Sequence, residues 1–325
     1  MEKISIIITT FKRSNMLENA IKSAINQTYK NIEIIVIDDN SEYPEERKKT
    51  KEICKKYKNI KLVENKTNLG GSLSRNIGIN AAKGELISFL DDDDIYLENR
   101  IYDMIKLYRK HKNEKIGLIY CNCFRINDNM EIIGKYENNY NNNLLYHQML
   151  GCLAGTSMWL IPKKVLIDIN MFEETPCKQD SIVLLKILAN DYKIYNTNTC
   201  LVKYYEHGGN GISGTKEKNI IGLNNYRNWC RKYYFKLKNQ KEINNIEYNF
   251  NKQLITLFVI NNRIDEAKIE FKNMLKIKIF SLNTMKSFFK IYFKNLYLKK
   301  IEVKKIWKYL LWKKTLYIIL YIKFL

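Results

Sequence analysis

The 325-residue sequence has few of the residues that mark flexible linkers, with only three prolines and thirteen glycines. Gly70 and Gly71 match neither the P-loop nor the GxGxxG spacing, which disfavours ATPase and dehydrogenase functions. The seven cysteines include no CxxC pair, and their odd number argues against a complete disulfide framework. Together these absences indicate that no Pro/Gly-rich linker divides the chain and that the protein works in a reducing compartment.

Long hydrophobic runs are also missing. The start of the chain has no extended apolar core of the kind found in signal peptides. The apolar stretch at 315–325 is interrupted by Lys323 and falls well short of the roughly 20 residues needed to span a bilayer. We therefore expect a cytoplasmic protein that is peripheral on the inner face of the cell membrane.

The distribution of charge divides the chain into two regions, although no Pro/Gly-rich linker separates them. Residues 1–215 hold 30 basic and 27 acidic side chains, whereas residues 216–325 hold 25 basic and only 7 acidic ones. Such asymmetry suggests that the basic region meets a polyanion, either membrane phospholipid or nucleic acid. The sequence therefore predicts a domain at 1–215 followed by a basic helical region at 216–325.

Apolar strand-like runs alternate with helical patterns through the first hundred residues. Short strand-like runs, mostly apolar, occur at 4–9, 32–37, 60–63 and 86–90, and each of the first three is followed by a segment with helical periodicity. This alternation is typical of right-handed βαβ units. The predicted fold class is α/β, with a mostly parallel sheet flanked by helices.

Polar residues follow three of these runs, and the most conspicuous are four consecutive carboxylates at 91–94. The carboxyl ends of parallel strands meet at one edge of a sheet, where ligands of open α/β proteins bind. Carboxylates this close raise one another's pKa, so a divalent cation and bridging phosphates are a natural way to keep them ionised. A solvated acidic turn before the next helix is the alternative, since acids also favour helix starts.

Six spaced blocks, in this order, resemble the family 2 glycosyltransferases of the GT-A fold. They are residues 5–13, 27–29, 36–41, 68–78, 82–85 and 90–94. The resemblance covers about residues 3–215. It implies a nucleotide-diphosphate sugar donor, a Mg²⁺ or Mn²⁺ ion, and transfer with inversion at the anomeric carbon.

The resemblance assigns donor-binding roles to four residues near the first three strands. Thr9 and Phe11 match positions that line the base and ribose pocket. Asp39 matches the acid that reads the uracil or thymine edge, and Arg75 matches a basic residue near the diphosphate. Asp38 is interpreted as a strand-end residue without a ligand contact.

In the acidic run, the family's D-x-D motif falls on Asp91 and Asp93. By resemblance, Asp91 reaches the ribose, Asp93 holds the metal, and Asp94 is a further acid. Asp92 occupies the variable position and is grouped with the donor-binding residues. A hard cation prefers oxygen ligands and keeps phosphate oxygens, so one carboxylate plus the donor's diphosphate can suffice.

Three further residues lie outside the strand-end blocks. Asp180 matches the family's general base, with Gln179 in place of the usual Glu, and an N-cap is the alternative role for Asp180. Trp159 lies in a segment that resembles the acceptor side, and we interpret it as a core residue, with stacking on an acceptor sugar as the alternative. His207 lies in a Gly-rich stretch that resembles a closing loop, which implies contact with the metal or diphosphate unless it is an exposed loop histidine.

The basic region reads as helical. Residues 251–261 and 264–275 form a predicted hairpin, and Met285, Phe288, Phe289, Tyr292 and Leu296 share one face of a third helix, opposite Lys286, Lys290 and Lys294. This pattern, with Trp307, Trp312, Tyr317 and Tyr321 further on, suits an anionic membrane surface. The alternative is that the stripe packs on the catalytic domain and the lysines are solvated.

The predicted function is transfer of a sugar, from a UDP-sugar or a related donor, to a hydroxyl of a lipid-linked glycan in bacterial-type surface polysaccharide synthesis. Two alternatives remain: a basic nucleic-acid-binding protein, for which no recognisable motif is present, and a non-catalytic sugar-nucleotide-binding module.

Overall fold

Apolar runs of four to seven residues, rich in Ile and Val, form the buried centre of a mixed β-sheet, and amphipathic helices cover it. The computed structural model describes residues 2–138, 140, 142–206 and 216–294. Its strands are β1 (Ile4–Thr10), β2 (Ile32–Asp38), β3 (Ile60–Glu64), β4 (Leu86–Asp91), β5 (Ile95–Tyr96), β6 (Ile116–Ile126), β7 (Ile132–Tyr136), β8 (Trp159–Pro162) and β9 (Lys193–Tyr205).

Helices separate the strands and continue beyond the last of them. They are α1 (Ser14–Ile25), α2 (Pro44–Lys55), α3 (Gly70–Ala81), α4 (Arg100–Lys110), α5 (Leu144–Leu150), α6 (Lys163–Asp168), α7 (Gln179–Ala189), α8 (Lys216–Arg231), α9 (Gln240–Ile260), α10 (Ile264–Ile277) and α11 (Leu282–Tyr292). Short 3₁₀ segments occur at Thr156–Met158 and Tyr234–Lys236. None of the helices in the described ranges is long and apolar enough to cross a membrane.

The strand order in the described part of the sheet is β3-β2-β1-β4-β8-β6-β9-β5, with β7 paired to β6. The first four of these strands are parallel, which confirms the predicted βαβ units. Beyond β4 the sheet becomes mixed: β8 runs antiparallel to both β4 and β6, whereas β6 and β9 are parallel. The α/β class is therefore confirmed, and the parallel arrangement is concentrated in the N-terminal half.

A buried cation links the two halves of the sheet. Arg100, at the start of α4, is fully buried and donates to the Ser88 hydroxyl at 2.9 Å, the Ser157 carbonyl at 2.9 Å and the Trp159 carbonyl at 2.8 Å. Its guanidinium lies 3.8 Å from the centroid of the Tyr96 ring. These contacts satisfy a charge that would otherwise be costly to bury, and they hold β4 and β8 in register.

Helix α3 lies unusually close to β1, and Gly78 permits the approach. A Cβ at Gly78 would lie 2.4 Å from Cγ2 of Ile7. We expect Gly78→Ala to lower the free energy of unfolding by about 1–3 kcal/mol, because the added methyl group overpacks this contact. Urea unfolding measures the change. Gly151→Ala is the matched control, since its Cβ would meet nothing within 4 Å, and an equal loss in both variants would contradict the argument.

The described residues form two compact units with a boundary after residue 242, whereas the charge distribution predicts a boundary after residue 215. The charge change at 216 does not coincide with a change in packing, because α8 belongs to the first unit. Tyr226 of α8 exchanges hydrogen bonds with buried Gln148, and Gly222 lies directly against Cys177. The first unit therefore includes the first 27 residues of the predicted basic region.

Within the second unit, α9 and α10 confirm the predicted helical hairpin. The predicted separation of apolar and lysine faces on α11 is only partly correct. Phe289 is buried within the protein, as the alternative of packing requires, whereas Tyr292 is exposed. Lys290 points inward and donates to the Thr256 hydroxyl at 2.7 Å, and burial lowers its pKa. Leu296 and the four aromatic residues beyond 300 lie outside the described residues.

Candidate active site

Three strands bring the predicted site residues to one edge of the sheet. In the register of β1 and β4, Thr9 is the partner of Asp91, and in the register of β1 and β2, Thr10 is the partner of Asp38. Residues about 80 positions apart in sequence therefore lie side by side. The predicted convergence of the strand ends on one edge is confirmed.

The two acids after β2 have different environments. Asp38 is fully buried, and its Oδ1 accepts hydrogen bonds from the backbone and side-chain nitrogens of Asn40, both at 2.8 Å, as expected of a structural strand-end residue. Asp39 accepts from the backbone nitrogens of Leu69 at 2.9 Å and Gly70 at 2.8 Å. Asp39 therefore fixes the start of α3, and a base contact by this carboxylate stays a prediction.

An aromatic corner lies next to these strand ends. The half-buried rings of Phe11 and Tyr43 meet edge to face, with centroids 5.6 Å apart, and Lys12 Nζ lies 3.7 Å from the Tyr43 ring centroid. Aromatic faces and a nearby cation suit a planar base and an adjoining phosphate. Sequence reasoning identified Phe11 but missed Tyr43, which lies in a polar loop and gives no periodic signal.

The acidic run alternates between the interior and the sheet edge. Asp92 and Asp94 are buried, whereas Asp91 and Asp93 are partly exposed. Burial and the neighbouring carboxylates raise the pKa of both Asp92 and Asp94. Asp94 accepts from the backbone nitrogen of Tyr205 at 2.9 Å, which ties the end of β9 to the acidic run. Asp91 and Asp93, the two acids of the D-x-D motif, are therefore the solvent-accessible carboxylates of the acidic run.

Asp92 has a different role from the predicted donor contact. Its side chain is almost wholly enclosed, the residue being 3% exposed, and it accepts from the backbone nitrogen of Phe11 at 3.2 Å and from Arg13 at 3.0 Å. Because these partners belong to the loop after β1, Asp92 holds that loop in place. The prediction that Asp92 binds the donor is therefore corrected: Asp92 supports the loop after β1.

Arg13 is the cation of this acidic cluster, and sequence reasoning missed it. Its Nη1 atom is shared between the carboxylates of Asp92 and Asp93, across about 80 residues of sequence. These charges raise the pKa of Arg13 against the opposing effect of its burial. Arg13 ends the first of the six family-like blocks, but its pairing with the acids could not be read from the sequence, because they become neighbours only through the pairing of β1 with β4. Arg13 therefore neutralises part of the negative charge of the acidic run.

Arg75 connects the acidic run to α7. Its Nη2 atom donates to Asp91 at 2.6 Å, and its Nη1 atom donates to Oε1 of Gln179 at 3.2 Å. The same oxygen accepts from the Ser72 hydroxyl at 2.7 Å. Gln179 therefore faces Arg75 rather than Asp180. The neutral amide in place of the usual Glu leaves Asp91 as the carboxylate that pairs with Arg75.

Asp180 lies in the first turn of α7, half-buried, one residue beyond Gln179. Its Oδ1 accepts from the Ser181 backbone nitrogen at 2.7 Å, and its Oδ2 accepts from the Cys152 thiol at 3.5 Å. Burial and the Asp180 charge raise the pKa of Cys152, so the thiol keeps its proton for this contact. Lys178 rather than Asp180 occupies the N-cap position, so the alternative N-cap role is wrong.

Two other predicted residues are not part of the described site. Trp159 is fully buried, its Nε1 donates to the Ala154 carbonyl at 3.1 Å, and its ring packs against Phe89 and Phe172. The favoured interpretation as a core residue is confirmed, and the acceptor role is wrong because no face of the indole reaches solvent. His207 lies outside the described residues.

No group of three or more His, Cys, Asp or Glu side chains in the described ranges is arranged to hold a metal ion unaided. The accessible acids of the edge are Asp91, which pairs with Arg75, and Asp93, which pairs with Arg13. A divalent ion there would need oxygen ligands from a bound substrate as well.

Comparison with known proteins places this geometry in a family context. The model of glycosyl transferase family 2 matches residues 5–175, which is more than half of the chain. One curated relative, the UDP-Glc:alpha-D-GlcNAc-diphosphoundecaprenol beta-1,3-glucosyltransferase WfaP of Escherichia coli, is 31% identical over 231 residues. That alignment covers 69% of this chain and 85% of the relative.

A second relative is the GalNAc(5)-diNAcBac-PP-undecaprenol beta-1,3-glucosyltransferase of Campylobacter jejuni, 36% identical over 124 residues, or 38% of each chain. Among solved structures, the crystal structure of S. aureus TarS 1–349 in complex with UDP-GlcNAc superposes with a TM-score of 0.58. It covers 85% of this chain and 90% of TarS 1–349 at 16% identity, a likeness that concerns the fold. On the match of the family model and the E. coli relative, the chain belongs to glycosyl transferase family 2.

Proposed function

We propose that this glycosyltransferase moves a sugar from a UDP-sugar to a hydroxyl of a lipid-linked glycan, with a divalent metal and with inversion. One observation carries the proposal. The accessible acids of the D-x-D motif lie at the sheet edge, and hydrogen bonds through Arg75 and Gln179 connect one of them, Asp91, to the helix that holds Asp180. Donor-binding and proton-accepting groups thus belong to one connected site.

Asp180 is the proposed general base. The partly exposed Asp180 carboxylate accepts from the Ser181 backbone N–H and hydroxyl through Oδ1, and from a weak thiol donor through Oδ2, so Oδ2 keeps a lone pair for an acceptor hydroxyl. The base removes the proton as the hydroxyl oxygen attacks the anomeric carbon and the bond to the nucleoside diphosphate breaks. A single attack from the opposite side inverts the configuration, so an α-linked donor sugar gives a β-linked product.

The side chains at the edge fit a divalent metal. Asp93 would hold Mg²⁺ or Mn²⁺, and the pairing of its carboxylate with Arg13 supports the fit of a cation at this position. When bound, the metal supplies positive charge that stabilises the departing diphosphate. Arg75, whose guanidinium is already oriented by Asp91 and Gln179, is the residue of this chain that would face the diphosphate from the side of α3.

The identities of donor and acceptor rest on the relatives. The E. coli relative is named for UDP-Glc and a diphosphoundecaprenol-linked acceptor, and the C. jejuni relative for a PP-undecaprenol-linked one. The TarS structure contains UDP-GlcNAc. These names support a UDP donor and an acceptor carried on a lipid diphosphate, in the synthesis of a surface polysaccharide. Such an acceptor is presented at a bilayer, so we propose that the enzyme works at the inner face of the cell membrane.

A donor panel tests the proposal. Purified protein is titrated by calorimetry with UDP-, dTDP-, GDP- and CMP-sugars, with and without Mn²⁺. We expect binding of UDP-sugars that strengthens in Mn²⁺, and no comparable binding of GDP- or CMP-sugars. Equal binding of every donor, or of none, would overturn the UDP assignment, and an affinity independent of Mn²⁺ would overturn the metal.

A further inference from the structure

We infer that the turn between α10 and α11, together with its flanking lysines, is a contact element for an anionic phospholipid surface. This segment, residues 276–286, is called the lysine turn below. The inference extends the proposed function, since a lipid-linked acceptor lies at a bilayer, but it rests on the surface of the second unit alone.

The lysine turn presents three large apolar side chains to water. Ile279 is 42% exposed, Phe280 is 69% exposed and Leu282 is 45% exposed, within four consecutive positions. Single exposed apolar residues are ordinary on a protein surface, whereas an adjacent group of them marks an interaction site. Full burial of each such side chain contributes about 1.5–3 kcal/mol, so even partial insertion of three side chains into a bilayer interface is favourable.

Hydrogen bonds hold the turn in this conformation. The Ser281 hydroxyl caps α11 by accepting from the Thr284 backbone nitrogen at 3.1 Å. The Thr284 hydroxyl donates to the Lys278 carbonyl at 2.9 Å, and the Tyr248 hydroxyl lies 2.9 Å from the Thr284 hydroxyl. Since these bonds fix the backbone before any contact forms, little conformational entropy is lost when the apolar side chains are buried.

The charges around the turn select an anionic partner. Residues 271–294 include six lysines and no acidic residue, and Lys276, Lys278 and Lys286 are exposed beside the apolar group. Each basic residue near an anionic bilayer contributes about 1 kcal/mol. A second copy of the same turn would bring like charges together. Nucleic acid would gain little from Ile279 and Leu282, because aliphatic side chains do not stack on bases as aromatic rings do.

A vesicle-binding experiment on the full chain tests the inference. Co-sedimentation is measured with vesicles of phosphatidylglycerol and phosphatidylcholine, and with phosphatidylcholine alone, in the absence of donor, acceptor and metal. We expect binding to the anionic vesicles that weakens with salt. The double variant Phe280→Ser/Leu282→Ser is expected to bind roughly 10-fold or more weakly, a loss that corresponds to about 1.4 kcal/mol. Phe280→Trp is expected to retain binding, since Trp favours the interface.

Ile269→Ser is the matched control. Ile269 is 58% exposed on α10 but lies beside Glu266 and Glu270, so its loss should leave vesicle binding unchanged. Wild-type affinity in the double variant, or an equal loss in the control, would overturn the inference. Loss of binding to a single-stranded oligonucleotide in the double variant, without loss of vesicle binding, would assign the turn to nucleic acid instead. Because no substrate is present, failure here leaves the donor-panel result untouched.

Discussion

Replacing Asp180 with Asn is expected to reduce sugar transfer by about 10²–10⁴-fold while leaving donor affinity within a few-fold of wild type. The amide keeps the size of the side chain and can still accept the Ser181 N–H bond at the start of α7. It cannot take a proton from the acceptor hydroxyl. The measurement pairs the rate of transfer to a lipid-linked acceptor with donor titration by calorimetry.

The neighbouring Cys152 provides the control for this variant. Cys152→Ser keeps a hydrogen-bond donor 3.5 Å from the Asp180 carboxylate, so we expect a far smaller change in rate. A wild-type rate in Asp180→Asn would exclude this residue as the base. A parallel loss of donor binding would show that the substitution had disturbed the edge through Gln179 and Arg75 rather than removed the base.

In Asp93→Ala, the gain in donor affinity that Mn²⁺ confers is expected to disappear. Metal ligation and charge stabilisation of the diphosphate contribute several kcal/mol, so the loss in Mn²⁺ should reach roughly 10²-fold or more. Binding without metal should change little, because the aromatic corner and Asp39 remain. Calorimetry of the UDP-sugar, with and without Mn²⁺, measures both quantities.

Arg13→Met is the matched variant, and it is expected to strengthen rather than weaken the binding of Mn²⁺. Methionine leaves the carboxylates of Asp92 and Asp93 without their internal cation. We therefore expect the donor-free protein to bind Mn²⁺ more tightly than wild type, as read from the free Mn²⁺ signal in electron paramagnetic resonance. Weaker Mn²⁺ binding in Arg13→Met, or full Mn²⁺ dependence in Asp93→Ala, would move the metal away from Asp93.

The sequence predicted the parallel half of the fold and the position of the site, because both depend on local signals. Each of the first strands is a short apolar run, and the acids follow directly after strand ends. The rules for parallel sheets then bring Thr9 and Asp91 together without further information. The antiparallel additions β7 and β8 gave no comparable signal, since β8 spans only Trp159–Pro162.

What the sequence could not predict are the contacts that only the folded chain creates. Arg13 meets its two acids, and Arg100 meets three oxygen acceptors on β4, β8 and the 3₁₀ segment before β8, without any motif that pairs them. The change in charge at residue 216 also differs from the boundary between the compact units, because charge reflects which residues face solvent, whereas the compact units depend on how α8 packs. The sequence on α11 likewise could not reveal that Lys290 turns inward to Thr256.

The pairing of Arg75 with both Asp91 and Gln179 has a consequence for how this enzyme can change over evolution. In the proposed mechanism, one guanidinium group contacts both Asp91, on the donor side, and Gln179, next to the proposed base. A substitution on either side redistributes that shared charge, so its effect depends on what the other side already contains. Substitutions at positions 91 and 179 are therefore expected to be non-additive, so the outcome of a change at one position depends on the residue at the other.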